Sequence, residues 1–148
     1  MIDKKKVISL IIAGASALLI MFAFKFATFA VAPKKNPMPS DYNTGISWEE
    51  AEKINKPIAV LFYVDWCNYC RKFAPVFDDY RKKYSSEYNF VIVKSDAPEN
   101  EKIVKQYYIP GYPTVYLVEK KKNRKNIIDP QKYFNNEEFT QELKDFLK

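Results

Sequence analysis

The 148-residue sequence contains no histidine, only two cysteines, Cys67 and Cys70, and only three glycines. Without histidine the chain has no imidazole acid–base catalyst, no nucleophile activated by His and no His ligand for a metal. Two cysteines alone cannot complete a four-ligand zinc site within one chain. We therefore expect no metal site and no cofactor.

The composition indicates a globular protein. Hydrophobic residues make up 47% of the chain and aromatic residues 16%, which does not fit the disordered or fibrous classes. A chain of 148 residues is long enough for one compact domain plus an appendage, but too short for two such domains.

The net charge of +6 is concentrated near the N-terminus. Residues 1–46 carry six lysines against Asp3 and Asp41, a net +4, whereas the remainder carries 18 basic against 16 acidic residues, a net +2. Basic charge that flanks an apolar segment is typical of membrane topology and headgroup contact. No basic stripe with interleaved aromatic residues follows, so we expect no nucleic-acid partner.

The longest apolar segment lies close to the N-terminus. Residues 7–24 carry no charge, and apolar residues continue after Lys25 to Ala32, which is long enough for the roughly 20 residues that cross a bilayer. The alternatives are a core helix of a soluble protein and a cleaved secretory signal, but the apolar stretch of such a signal is about 7–15 residues long. Its best cleavage site, residues 30–32, is followed by Pro33. We favour an uncleaved signal anchor over residues 7–32.

The lysines set the expected topology. Lys4, Lys5 and Lys6 precede the anchor, which places residues 1–6 in the cytoplasm and the remainder on the extracytoplasmic side, whether periplasmic, lumenal or extracellular. Residues 33–46 contain several Pro, Ser and Asn residues and are predicted to be an extended linker. Residues 47–148 form the predicted globular domain.

Residues 47–148 alternate between helical and strand patterns. A capping box at Ser47 and Glu50 predicts a helix start, and continuous apolar runs predict buried strands. The predicted elements are a helix to about residue 55, a strand at 58–64, a helix at 67–84, a strand at 90–93, a helix at 99–107, a strand at 114–118, a polar turn at 120–125 and a short strand marked by Ile127 and Ile128. The last element is a helix capped by Asn135 or Asn136, with Phe139, Leu143, Phe146 and Leu147 on one face. We predict an α/β fold with a mixed sheet of about four strands and helices on both faces.

Cys67 and Cys70 lie directly after a predicted buried strand, at the start of a predicted helix. The free amides and the dipole of a helix N-terminus stabilise a thiolate, the form of cysteine that attacks disulfides. Cys67 is therefore the predicted exposed nucleophile and Cys70 the predicted shielded resolving thiol, and the two form a redox-active disulfide. The alternatives are half of a zinc site shared between two chains, two ordinary core residues, or a structural disulfide, which would add little stability across so short a loop.

Two segments resemble the thioredoxin-like family. Residues 62–75, FYVDWCNYCRKFAP, are similar to its active-site segment, with a Trp before the first cysteine, a basic residue after the second and a helical Pro five residues past it. Residues 108–114, YIPGYPT, are similar to its cis-proline loop. The resemblance runs from about Ser47 to Lys148 and implies a thioredoxin-like fold, similar in kind to the membrane-anchored thiol:disulfide interchange proteins.

The resemblance also implies roles for three residues near the cysteines. Pro113 would be cis and lie against Cys67. The backbone of Tyr112 would pair with an extended substrate segment, and Trp66 would form part of a flat apolar docking surface. These three residues are the predicted substrate-binding positions.

The sequence departs from thioredoxins at two buried positions. Leu61 stands where thioredoxins carry a buried Asp that moves a proton from the second thiol, and Ile92 stands where a buried Lys often partners that Asp. Asp65 is predicted to be a solvated loop acid and not a replacement for the missing carboxylate. Proton transfer at Cys70 is therefore expected to rely on water.

The dipeptide between the cysteines, Asn68-Tyr69, is neither the Gly-Pro of reducing thioredoxins nor the Pro-His of strong oxidants. Without a His there, a very oxidising potential is not expected. The favoured hypothesis is a thiol–disulfide oxidoreductase that reduces or exchanges disulfides of exported proteins. Its partners would be protein dithiol or disulfide clients, a dithiol electron donor and the membrane. The alternative is a non-catalytic binding or assembly module tethered to the membrane.

Overall fold

The computed structural model describes residues 37–42 and 45–148. The predicted cytoplasmic segment 1–6, the predicted anchor 7–32 and residues 33–36 of the predicted linker lie outside the described residues. Among the described residues, no helix combines the length and apolar character needed to cross a membrane.

In the described part of the chain, four strands form one mixed sheet in the order β2-β1-β3-β4. The strands are β1 (Ile58–Tyr63), β2 (Asn89–Lys94), β3 (Thr114–Glu119) and β4 (Arg124–Ile127). Strand β1 pairs in parallel with β2 and antiparallel with β3, and β3 pairs antiparallel with β4. The predicted α/β fold with a mixed sheet is confirmed.

Helices cover both faces of this sheet. They are α1 (Trp48–Lys53), α2 (Asn68–Tyr84), α3 (Glu101–Val104) and α4 (Asn136–Phe146), and short 3-10 turns lie at Pro39–Asp41, Pro98–Asn100, Lys120–Lys122 and Pro130–Lys132. The predicted capping box is present, because the Glu50 amide donates to the Ser47 hydroxyl and the Glu50 carboxylate accepts from the Ser47 amide. Helix α2 continues through Pro75.

Strand β1 is fully buried and divides the core into two clusters. Ala59, Leu61 and Tyr63 face a cluster shared with α2 and α4, whereas Ile58, Val60 and Phe62 face a cluster shared with α1 and α3. This alternation follows from the period of two in a strand. The cluster on the α2 side also contains Cys67 and Cys70, so the cysteine pair is built into the larger core.

Two segments differ clearly from the sequence prediction. The helix predicted at 99–107 is divided into a 3-10 turn and the four-residue α3. The polar turn predicted at 120–125 ends early, because Arg124 and Lys125 begin β4. They are tolerated there because β4 is an edge strand whose long basic side chains cover aromatic rings: the Arg124 guanidinium lies 4.3 Å from the Phe146 ring and the Lys125 amine 4.7 Å from the Tyr107 ring.

The C-terminal helix also differs at one residue. Asn135 is its N-cap and accepts from the amides of Glu137 and Glu138, as expected for a cap. Phe139, Leu143 and Phe146 are buried, but Leu147 is exposed because the helix ends at Phe146.

Gly45 gives a stability prediction. It has φ of +88°, and a Cβ there would overlap the carbonyl oxygen of Phe90 at the sheet edge. We expect Gly45→Ala to lower the free energy of unfolding by at least about 1–3 kcal/mol, since a strained backbone conformation and a backbone displacement are both required. Urea denaturation measures this loss.

Gly111→Ala is the matched control. A Cβ at Gly111 would meet no heavy atom within 4 Å, so this variant should stay within about 0.5 kcal/mol of the parent. Equal unfolding midpoints for the two variants would contradict the conformation described at Gly45.

Candidate active site

Cys67 is the N-cap residue of α2, with extended backbone angles of φ −82° and ψ 117°. Its sulfur accepts a hydrogen bond from the backbone amide of Cys70 at 3.2 Å. It thus takes the place that a Ser or Asp oxygen takes at other helix starts. Free backbone amides at a helix start are the groups that can stabilise a sulfur anion when one forms there.

Cys70 lies one turn into α2 and is completely buried. Burial, followed by the interaction with Cys67, raises the pKa of the Cys70 thiol to about 12. Both cysteines are free thiols in the structure. Cys70 is therefore kept in its protonated form, as expected for a resolving thiol that waits for the mixed disulfide.

Access to Cys67 is narrower than the sequence suggested. The residue is only 9% exposed, so the prediction of an openly exposed nucleophile is wrong. The physical reason is the loop before β3: the Cys67 thiol donates to the Tyr112 carbonyl oxygen at 3.4 Å. Cys67 is still more accessible than Cys70, which has no exposed surface.

The loop before β3 has the conformation that the resemblance implied. The Tyr112-Pro113 peptide bond is cis, and Pro113 is buried. Trp66 is 69% exposed and packs edge to face on Tyr112, with ring centroids 6.2 Å apart. The structure thus brings all three predicted substrate-binding residues to the mouth of the cysteine site, where their binding role stays a prediction.

Asp65 is not the solvated loop acid that the sequence suggested. Its carboxylate pairs with Lys94 of β2 at 2.9 Å and accepts the amide of Ser40 at 3.1 Å, while its carbonyl oxygen accepts from Arg71 of α2. Partial burial raises the pKa of Asp65, but the hydrogen bonds from Lys94 and Ser40 outweigh this effect and hold the pKa below its ordinary value.

Asp65 is therefore an ionised, structural carboxylate. It fastens the segment before Cys67 to β2 and to the 3-10 turn at Pro39–Asp41. That turn belongs to the predicted linker 33–46, so at least this part of the linker contacts the folded domain.

The buried positions beneath the cysteines are apolar. Leu61 pairs with Ile92 in the register of β1 and β2, and Leu61 is buried in the same cluster as Cys70. The buried polar residues of the described chain are Asn89 and Thr114, so none of the described carboxylates or amines is buried. Burial also raises the pKa of Tyr63, in the same cluster, to about 12, with a smaller contribution from Asp65.

A groove of about 500 Å³ lies beside the cysteine site and was not predicted. Tyr69 of α2 lines one side, the loop that carries Pro113 lines another, and Phe134 from the loop before α4 completes it. Tyr69 and Phe134 are 66% and 52% exposed. Phe134 had no local sequence signal, because its loop meets the others only in the folded chain.

No metal centre accompanies the site in the described residues: no group of three or more His, Cys, Asp or Glu side chains there could hold a metal ion. The two neighbouring thiols allow thiol–disulfide exchange between a client sulfur and Cys67, followed by attack of Cys70 on Cys67.

Known proteins resemble this chain in sequence. The family model described as Thioredoxin matches residues 41–145. A protein disulfide-isomerase of Hordeum vulgare is 33% identical over 92 residues, which cover 57% of this chain and 18% of that protein. The protein disulfide-isomerase A4 of Bos taurus is 33% identical over 86 residues, 57% of this chain and 13% of that protein. The chain thus matches less than a quarter of the length of these relatives.

Solved structures share the fold. The Drosophila melanogaster thioredoxin Deadhead matches with a TM-score of 0.53 and 19% identity, over 75% of this chain and 99% of that one. The Trx4 domain of ERdj5 matches with a TM-score of 0.55 and 20% identity, over 71% of this chain and 96% of that one. At these identities the likeness supports the fold alone, which is the thioredoxin-like fold that the sequence predicted.

The unequal burial of the two sulfurs predicts an unequal response to alkylation. In the reduced protein at about pH 8, iodoacetamide should modify Cys67 first and leave Cys70 unmodified, because a thiol whose pKa is raised to about 12 stays protonated and unreactive. Cys70 should begin to react only as the pH approaches about 12. Mass spectrometry of the two modified peptides measures the order.

Alkylation in denaturant is the control. Unfolding removes the burial, so both cysteines should then react at similar rates. If Cys70 reacts as fast as Cys67 in the folded protein, the burial described for Cys70 is wrong.

Proposed function

The chain belongs to the thioredoxin family, and on that premise we propose that it reduces or exchanges disulfides of exported proteins through Cys67 and Cys70. The predicted enzyme class, a thiol:disulfide oxidoreductase, is confirmed at the level of the family by the matched domain, the disulfide-isomerase relatives and the Cys-x-x-Cys motif. The direction of the reaction, the clients and the location are our proposals.

The proposed cycle uses the two thiols in sequence. The Cys67 thiolate attacks one sulfur of the client disulfide, forms a mixed disulfide and releases the other client sulfur as a thiolate, which takes up a proton. Cys70 then loses its proton and attacks the Cys67 sulfur, which releases the second client thiol. The client disulfide gains two electrons, and the enzyme is left in its oxidised form, with a Cys67–Cys70 disulfide. A dithiol donor then reduces this disulfide.

The observation that carries this proposal is the hydrogen bond from the Cys70 amide to the Cys67 sulfur. It places the nucleophile at a helix start, where a sulfur anion is stabilised, and it brings Cys70 into the turn that resolves the mixed disulfide.

Trapping of clients tests the division of labour. We expect Cys70→Ser to accumulate mixed disulfides between Cys67 and its clients, because the resolving thiol is absent, whereas Cys67→Ser should form few or none. Non-reducing gels followed by mass spectrometry measure these adducts, which should disappear on reduction. Cys67→Ser is a fair comparison because Ser also caps helices well.

The same variants distinguish the enzyme from the binding module. The full chain should reduce the disulfides of insulin, and neither serine variant should sustain this turnover. Adducts that accumulate in Cys67→Ser would exchange the two roles. If neither variant traps a client and both retain normal function in cells, the chain is a non-catalytic binding or assembly module.

We propose that the chain works as a reductase. The Asn68-Tyr69 dipeptide contains no His to stabilise a thiolate between the cysteines, so the reduced form lacks one source of stabilisation that strong oxidants have. A redox titration of the Cys67–Cys70 couple should give a potential near that of thioredoxin, about −270 mV. A value near −120 mV would instead assign an oxidase.

We also propose that residues 7–32 anchor the chain in a membrane with the cysteine site on the extracytoplasmic side. The uncharged run at residues 7–24 and the lysines that precede it support this arrangement. N-terminal sequencing of membrane-purified protein tests the anchor, and a mature chain that begins near Val31 or Pro33 would refute it. Labelling of Cys67 in intact cells by an impermeant thiol reagent tests the orientation.

A further inference from the structure

The groove beside Cys67 has an uncharged lining made by three separate segments. Of its lining residues, Pro113 and Tyr133 are buried, whereas Tyr69 and Phe134 are exposed. None of the side chains that line it is a carboxylate, an amine or a guanidinium. An ionised client side chain placed there would lose water without gaining a partner, whereas an apolar side chain would lose nothing.

Phe134 is held in place although half of it is exposed. Its ring lies edge to face on the buried ring of Phe73, with centroids 5.7 Å apart and planes at 76°. Tyr69 faces solvent in the first turn of α2, and the Lys72 amine lies 5.9 Å from its ring. Aromatic side chains contribute strongly to binding at protein interfaces.

The groove continues directly from the reacting sulfur. The Cys67 sulfur lies 3.4 Å from the Tyr112 carbonyl oxygen, and Tyr112 is also part of the groove lining. A client joined to Cys67 through its cysteine therefore begins at the edge of the groove. An extended chain advances about 3.3 Å per residue, so the client residues that reach the groove are those within one or two positions of that cysteine.

On the basis of the proposed oxidoreductase function, we propose that Tyr69 and Phe134 select clients that carry an aromatic side chain beside the reactive cysteine. The client binds as an extended segment, and its aromatic ring enters the groove between these two residues. The groove volume of about 500 Å³ lies within the roughly 300–1,000 Å³ typical of ligand pockets, which leaves room for a ring and its backbone. Tyr69 and Phe134 are thus specificity-determining residues, distinct from the cysteines that carry out the exchange.

Symmetrical peptide disulfides test this proposal with the full-length reduced protein in single turnover. Each peptide contains one cysteine with Phe or Ser on either side of it, and the rate of peptide thiol release is compared with the rate for hydroxyethyl disulfide, which has no side chain to bind. The Phe peptides should be reduced about two- to tenfold faster than the Ser peptides, in proportion to the energies of aromatic pairs.

Phe134→Ala and Tyr69→Ala should each reduce this Phe-to-Ser ratio, and the double variant should bring it close to one. Both single variants are measured because Phe134→Ala also removes a contact with the buried ring of Phe73. Tyr69 is largely exposed, so Tyr69→Ala changes the groove without changing the core. Tyr108→Ala is the matched control: Tyr108 is 75% exposed and lies outside the groove lining, so its loss should leave the ratio unchanged.

The outcomes separate this proposal from the one on which it rests. If the parent chain reduces none of the disulfides, including hydroxyethyl disulfide, the oxidoreductase function itself fails. If it reduces Phe and Ser peptides at equal rates, or if the ratio persists in the double variant, the groove does not select clients. A dimer in solution that Phe134→Ala dissociates, together with equal peptide rates, would assign the groove to a second copy of the chain.

Discussion

The hydrogen bond from the Cys70 amide to the Cys67 sulfur does for α2 what a Ser or Asp side chain does at the start of other helices. Helix capping and nucleophile activation are therefore one interaction, and a change that stabilises the sulfur anion also stabilises the helix. The helix in turn fixes Cys70 one turn away, inside the core formed with Leu61 and Tyr63. The position of the reacting sulfur thus depends on the packing of the whole α2 side of the sheet.

Three contacts with segments outside α2 hold this start of the helix in place. The Tyr112 carbonyl accepts from Cys67, and Asp65 fastens the preceding residues to Lys94 and Ser40. Because the Asp65 carboxylate already has two partners and a lowered pKa, it stays ionised at neutral pH and serves as a structural anchor. The active site is consequently assembled from the ends of three distant segments around one helix N-terminus.

The sequence was sufficient for the parts of the site that are local. A buried strand followed by two cysteines three residues apart predicts the capped helix, and the Tyr112-Pro113 loop was identified by resemblance. The Asp65 network was not predictable, because Ser40 and Lys94 lie 25 and 29 positions away from Asp65 and meet it only in the folded chain. The low accessibility of Cys67, the role of Phe134 in the groove and the polar edge strand β4 were missed for the same reason: each depends on tertiary neighbours that carry no local pattern.

The fate of the Cys70 proton is the remaining constraint on the chemistry. Burial raises the pKa of the Cys70 thiol to about 12, so this thiol is protonated at pH 7. Formation of the mixed disulfide removes the contribution of Cys67 to this pKa, but the larger contribution from burial remains. Leu61 and Ile92 offer no general base, so in the proposed cycle we expect the proton to pass to water or to the departing client sulfur. A client thiol of low pKa departs as a thiolate and does not need to be protonated as it leaves. Because the residues beneath the cysteines are apolar, the rate of the resolving step therefore depends on the client thiol as well as on the enzyme.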